Sequence, residues 1–102
     1  MKVFKNVIYE LKVDKEVGRV HEPIYVYSIW FDEDDDLMFL AQILCELKKM
    51  GCELSVGKGK RAIKVDEESI MEEGFPVVSL IARDPIKFEK FIEKFLKGGL
   101  NE

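Results

Sequence analysis

At 102 residues with 47% apolar side chains, the chain can bury one hydrophobic core and is too short for two. Charged residues make up 35%, above the roughly 25% of an average soluble protein, which sets the expectation of a highly charged surface, while the apolar content argues against a disordered chain. Twenty acidic against sixteen basic side chains leave a net charge of −4, which opposes long-range attraction to nucleic acid or an anionic membrane.

Residues 2–13 alternate, with Val3, Val7, Tyr9, Leu11 and Val13 on one face and Lys2, Asn6, Glu10 and Lys12 mostly on the other. That period of two predicts a half-buried strand in an antiparallel sheet. Its charges do not suit a signal peptide, and no apolar run in the chain reaches the roughly 18 residues of a membrane span. The cytoplasm is therefore the expected location, with no membrane partner. The polar span 14–22, with Gly18 inside it and Pro23 after it, reads as a loop that closes a hairpin onto residues 24–31. His21 lies in this loop and is the only histidine, so a His-rich zinc site and most His-dependent acid–base schemes are excluded.

In residues 24–31, Ile24, Val26 and Trp30 share one face and Tyr25, Tyr27, Ile29 and Phe31 the other, the pattern of a central strand covered on both sides. Tyr25 and Tyr27 would form a stacking platform for single-stranded bases if that face were open. The competing reading places them in the core or at an interface. If helices cover one sheet face only, the uncovered apolar patch calls for a second copy of the chain, and a homodimer is expected.

Five carboxylates follow, Asp32-Glu33-Asp34-Asp35-Asp36. Asp32, Asp34 and Asp35 supply the oxygen donors that Mg²⁺ or Ca²⁺ prefers, but the run lacks the glycine and the distant bidentate glutamate of an EF-hand loop. Helix capping by Asp32 or Asp34, with the remaining acids facing the positive end of the helix dipole, explains the run without a metal. An acidic edge offered to a basic protein partner is the third reading.

Residues 34–50 carry helical spacing, with Leu37, Leu40, Ala41, Leu44 and Leu47 as a stripe widened by Phe39 and Ile43, and Gly51 as the stop. Cys45 and Cys52 are too few for a disulfide framework and match no metal spacing, so buried, reduced thiols are expected. The chain has no threonine but many Lys and Glu, a bias seen in heat-adapted proteins, where an intracellular disulfide is less unusual.

Short strands at 52–56 and 63–65 flank Gly57-Lys58-Gly59-Lys60, which reads as a hairpin turn. Lys58, Lys60 and Arg61, with Lys64 nearby, form a candidate phosphate or RNA-backbone site, because two glycines let backbone amides approach an anion. The spacing is not that of a Walker loop. Residues 66–73 suggest a short helix, residues 75–82 a second central strand, and Asp84-Pro85 a helix start whose stripe of Phe88, Phe91, Ile92 and Phe95 runs to Gly98-Gly99.

The expected fold is α+β: a mainly antiparallel sheet of about five strands with two main helices on one face, ferredoxin-like or, as the alternative, β-grasp-like. None of the four serines sits in a Gly-x-Ser-x-Gly context, and no cofactor motif appears. The expected function is a small non-enzymatic interaction module that self-associates through its sheet. RNA or nucleotide-phosphate binding through residues 57–61 is the alternative, and a divalent-metal-dependent enzyme the third reading.

Overall fold

A computed structural model describes residues 1–96. The chain is α+β, with β1 (Lys2–Asp14), β2 (Gly18–Trp30), a 3-10 turn (Asp34–Asp36), α1 (Leu37–Lys49), β3 (Glu53–Lys64), β4 (Ile70–Ala82) and α2 (Pro85–Glu93). The four strands form one antiparallel sheet in the order β1-β2-β4-β3, and both helices pack on one face. Neither the five strands nor the ferredoxin-like order is confirmed.

Two local readings account for the difference. Residues 66–73 are not a helix: Asp66 opens a turn, and Ile70 already begins β4. Gly57 to Lys60 is not a turn but the middle of β3, paired with Val77, Pro76, Phe75 and Gly74, and neither glycine there has a positive φ. The two short strands expected at 52–56 and 63–65 are therefore one strand.

Both true hairpin turns use the same device. The Asp14 carboxylate accepts hydrogen bonds from the backbone N–H groups of Glu16 and Val17, and the Asp66 carboxylate accepts from those of Glu68 and Ser69. Gly18, at φ +90°, completes the first turn in a conformation that costs glycine little. The loop expected over residues 14–22 thus shrinks, and Pro23 lies within β2. Pro23 is tolerated because that part of β2 pairs with β1 alone, so its missing N–H breaks no second ladder.

The hairpins meet only along a seam, Tyr25–Trp30 of β2 against Val77–Ala82 of β4. Beyond it, residues 8–14 and 18–24 (arm 1) and residues 58–64 and 70–76 (arm 2) project in opposite directions as two-stranded ribbons. Seven residues of β2, a six-residue seam and seven residues of β4 at about 3.3 Å per residue span about 66 Å, which accounts for the 64 Å long axis. The 17.0 Å radius of gyration exceeds the roughly 13 Å of a compact domain of this length for the same reason.

The core lies where the seam meets the helices. Val3, Tyr27, Ile29, Val78, Leu80 and Ala82 from the sheet pack with Ile43 and Leu47 of α1 and with Phe88 and Ile92 of α2. The α1 stripe is turned slightly from the expected one: Ile43 and Leu47 are buried, while Leu37 and Ala41 are exposed. Cys45 is exposed rather than buried, Cys52 is half-buried, and both are free. The α2 stripe forms as expected, begun by Asp84 accepting from the Lys87 N–H with Pro85 at the first helical position. The stop expected at Gly98-Gly99 lies outside the described residues.

Among the described residues, no helix lies on the outer face. Phe4, Trp30 and Phe75 form an aromatic row across β1, β2 and β4, with ring centroids 4.7 and 5.4 Å apart. Gly59 leaves room for this row, because a Cβ there would lie 2.5 Å from the Phe75 ring. No helix among the described residues is long and apolar enough to cross a membrane.

Candidate functional site

The acidic run is held by the chain's own amino terminus. The Met1 ammonium lies 2.7 Å from Asp36 Oδ2 and 3.3 Å from Asp32 Oδ1, the latter an ion pair without hydrogen-bond geometry. Lys2 Nζ approaches the other Asp32 oxygen at 3.6 Å. Burial alone would lower the ammonium pKa, but Asp36 and then Asp32 outweigh it, and the pKa is raised above 8.0. The cap is Glu33, not Asp32 or Asp34: Glu33 and Asp36 form a reciprocal capping box around the 3-10 turn, with the Glu33 N–H donating to Asp36 at 3.1 Å.

Asp34 and Asp35 stay exposed. No group of three or more His, Cys, Asp or Glu side chains among the described residues is placed to hold a metal. The structure therefore does not bring Asp32, Asp34 and Asp35 together as a coordination set.

Tyr25 and Tyr27 point to the helix side. Tyr27 is fully buried against Phe88, with ring centroids 4.4 Å apart, and Tyr25 is half-buried. Although the Glu89 carboxylate is near it, the Tyr27 hydroxyl makes no hydrogen bond of full geometry among the described residues. Burial, and after it the neighbouring Glu89 carboxylate, push its pKa up. Open-face stacking falls instead to the Phe4-Trp30-Phe75 row, whose rings are already packed on one another. An open depression of about 310 Å³ beside that row is lined by Val26, Ile81, Ser55, Ser79 and Glu53, with no group of opposite charge or nucleophile–base pair among them.

The cations of β3 are divided between the two faces. Lys58 and Lys60 lie on the helix side of arm 2, whereas Arg61 lies on the outer side. Arg61 is bound to the Glu73 carboxylate at 2.8 Å, and Lys60 sits 3.7 Å from Glu72. Lys58 alone of the three has no salt-bridge partner among the described residues, so the nest read from the glycines does not form.

Arm 1 carries the largest mismatch between pattern and burial. Its helix-side row begins in the core with Val3 at 0% exposure and runs outward through Val7 at 37%, Tyr9 at 67%, Leu11 at 50% and Val13 at 81%. Coverage ends near Lys5, which bridges to Glu89 of α2 at 3.5 Å and leans over the Tyr25 ring. The opposite face of the arm mixes Ile8, Ile24 and Val20 with Glu10, Lys12 and Glu22, the last two paired at 2.8 Å. His21 and Arg19 lie beside Leu11 and Val13 on the helix-side face. The row is thus patterned for burial, and nothing among the described residues covers it.

A second surface lies between the helices. Lys87, Lys90 and Lys94 of α2 and the turn after it face Glu46, Lys49 and Met50 at the end of α1, across an open groove of about 370 Å³ floored by Phe91. Only Lys49 has a salt-bridge partner among the described residues, Glu46 at 3.4 Å. Sequence reasoning missed this groove, although the i, i+3, i+7 spacing of the three lysines, opposite the Phe88 and Ile92 stripe, is visible in the chain. No family model matches the chain, and no curated protein or solved structure matches it.

Proposed function

We propose that the protein is a non-enzymatic interaction module that self-associates by laying the helix-side face of arm 1 against the same face of a second copy. The observation that supports this is the row Val7, Tyr9, Leu11 and Val13, which continues the core face of β1 beyond the reach of α2. An isolated two-stranded ribbon is marginally stable in water, and a second layer about 10 Å away gives it the burial its alternation specifies. The same row on a second copy, related by a two-fold axis, has the required apolar character.

Sedimentation velocity across micromolar concentrations tests this. The expected result is a concentration-dependent dimer that Leu11→Lys converts to a monomer with an unchanged circular dichroism spectrum, since Leu11 is half exposed in the single chain. A monomer at every concentration, or a Leu11→Lys chain that dimerises as the parent does, would defeat the reading. A phosphate-binding reading has weaker support, because Lys60 and Arg61 are already engaged by Glu72 and Glu73.

A further inference from the structure

The two uncovered surfaces that arm 1 does not involve have opposite charge. The tip of arm 2 presents Asp66, Glu67 and Glu68, all exposed, flanked by Val65 and Ile70 at 57% and 73% exposure. The groove between α1 and α2 presents Lys87, Lys90, Lys94 and Lys49 around a floor containing Phe91 and Met50. We propose that the acidic tip of arm 2 docks into the lysine groove of a second copy of this chain, with Val65 or Ile70 seated on the Phe91 floor.

The contact has to be between copies. The groove includes the end of α1, which leads through Gly51 and Cys52 into the start of β3 at Glu53. The tip follows the other end of the same strand, eleven residues on at Lys64, or about 36 Å away at the usual strand rise. The β3–β4 ladder holds that separation, so a chain cannot fold its own tip back without breaking the ladder.

Helix stability does not explain the whole groove. Lys94 follows α2 and Lys90 lies in its last turn, where cations suit the dipole, but Lys87 lies in the first turn, where the dipole disfavours them. In a chain of net charge −4 these lysines form a local field of the opposite sign. The occupant's chemistry follows from the lining: an apolar floor and the Glu46 carboxylate suit a short acidic segment with apolar flanks better than a phosphate backbone. Asp66 is held ready for this, because its hydrogen bonds from the Glu68 and Ser69 N–H groups lower its pKa and keep it ionised.

The two arms project in opposite directions, so this contact joins a different pair of surfaces from the arm 1 row and does not compete with it. If each copy gives its arm 2 to the other, the pair closes on a two-fold axis; without reciprocity the contact propagates as a chain of copies.

Charge reversal with mixing tests the proposal. One variant carries Glu67→Lys and Glu68→Lys, the other Lys90→Glu and Lys94→Glu; all four residues are exposed, so folding is preserved. Both are built on the parent and on the Leu11→Lys background, so that this contact is read apart from arm 1. In sedimentation at low salt, each variant alone should associate at least about tenfold more weakly, because its tip and groove then share a sign. An equimolar mixture should recover the parent's association, since both tip–groove pairs in the mixed complex are again complementary. Single variants that associate as the parent does, or a mixture that fails to recover, would overturn the proposal.

Discussion

Tyr27→Phe should stabilise the protein, which is the reverse of the usual effect of a core substitution. Tyr27 is fully buried, its ring packs on Phe88 with centroids 4.4 Å apart, and its hydroxyl, though close enough to the Glu89 carboxylate to be influenced by it, makes no hydrogen bond of full geometry among the described residues. Phenylalanine keeps the ring packing and removes only the oxygen. A buried hydroxyl without a partner costs about 1 to 3 kcal/mol in mutational measurements, so the gain should be about 1 kcal/mol or more. In a domain of this length that raises Tm by about 4 to 8 °C per kcal/mol. Urea denaturation at fixed protein concentration should move the midpoint upward with an unchanged slope. The alkaline limb supplies a second readout. The native state favours the neutral phenol, so the pKa is raised when folded, and the stability it contributes is present below pH 10 and lost as pH rises above it. Tyr27→Phe should lessen that alkaline loss. A destabilisation of about 1 kcal/mol or more, comparable to losing a hydrogen bond, would refute the reasoning, because it would mean the hydroxyl is satisfied.

Two further outcomes follow from other sites. The Met1 ammonium has its pKa raised by Asp36 and Asp32, although burial opposes this, so the stability it contributes is complete below pH 8.0 and is lost as pH rises through its folded pKa. Asp36→Asn should flatten that part of the stability profile, measured by denaturation at pH 7 and pH 9.5; an unchanged pH dependence would remove the ion pair from the account. Gly59→Ala places a methyl 2.5 Å from the Phe75 ring and should cost about 1 to 3 kcal/mol, the usual penalty of overpacking. The indole fluorescence of Trp30, whose ring centroid lies 5.4 Å from that of Phe75, should shift with it.

Much of the architecture is legible in the sequence wherever periodicity is local. The alternation of β1, the stripe of α2 and the Asp84-Pro85 start all appear as residue types at fixed spacing, and the structure forms them. Arm 2 was illegible because glycine carries two meanings. Gly57 and Gly59 look like turn residues between cations, yet Gly59 is small so that Phe75 can lie against it. Pro23 misleads similarly, since its tolerance depends on where β4 stops pairing, which no local pattern records. The acidic run was partly legible as a cap. Its binding of the Met1 ammonium was not, because that contact joins residues more than thirty positions apart. The lysine groove shares this difficulty: Lys49 meets the α2 lysines only after both helices dock on the sheet.

The seam between the hairpins has a kinetic consequence. Each long hairpin zips from its own aspartate-stabilised turn through contacts close in sequence, which is rapid. Joining them brings Ser28 opposite Ser79, about fifty residues apart, and only six residue pairs share the join. Because Tyr27, Ile29, Val78 and Leu80 lie along it, closing the seam and seating both helices occur together. The arms can then form early but stay marginal until the seam closes, so that amide exchange separates two rapidly exchanging ribbons from one protected centre.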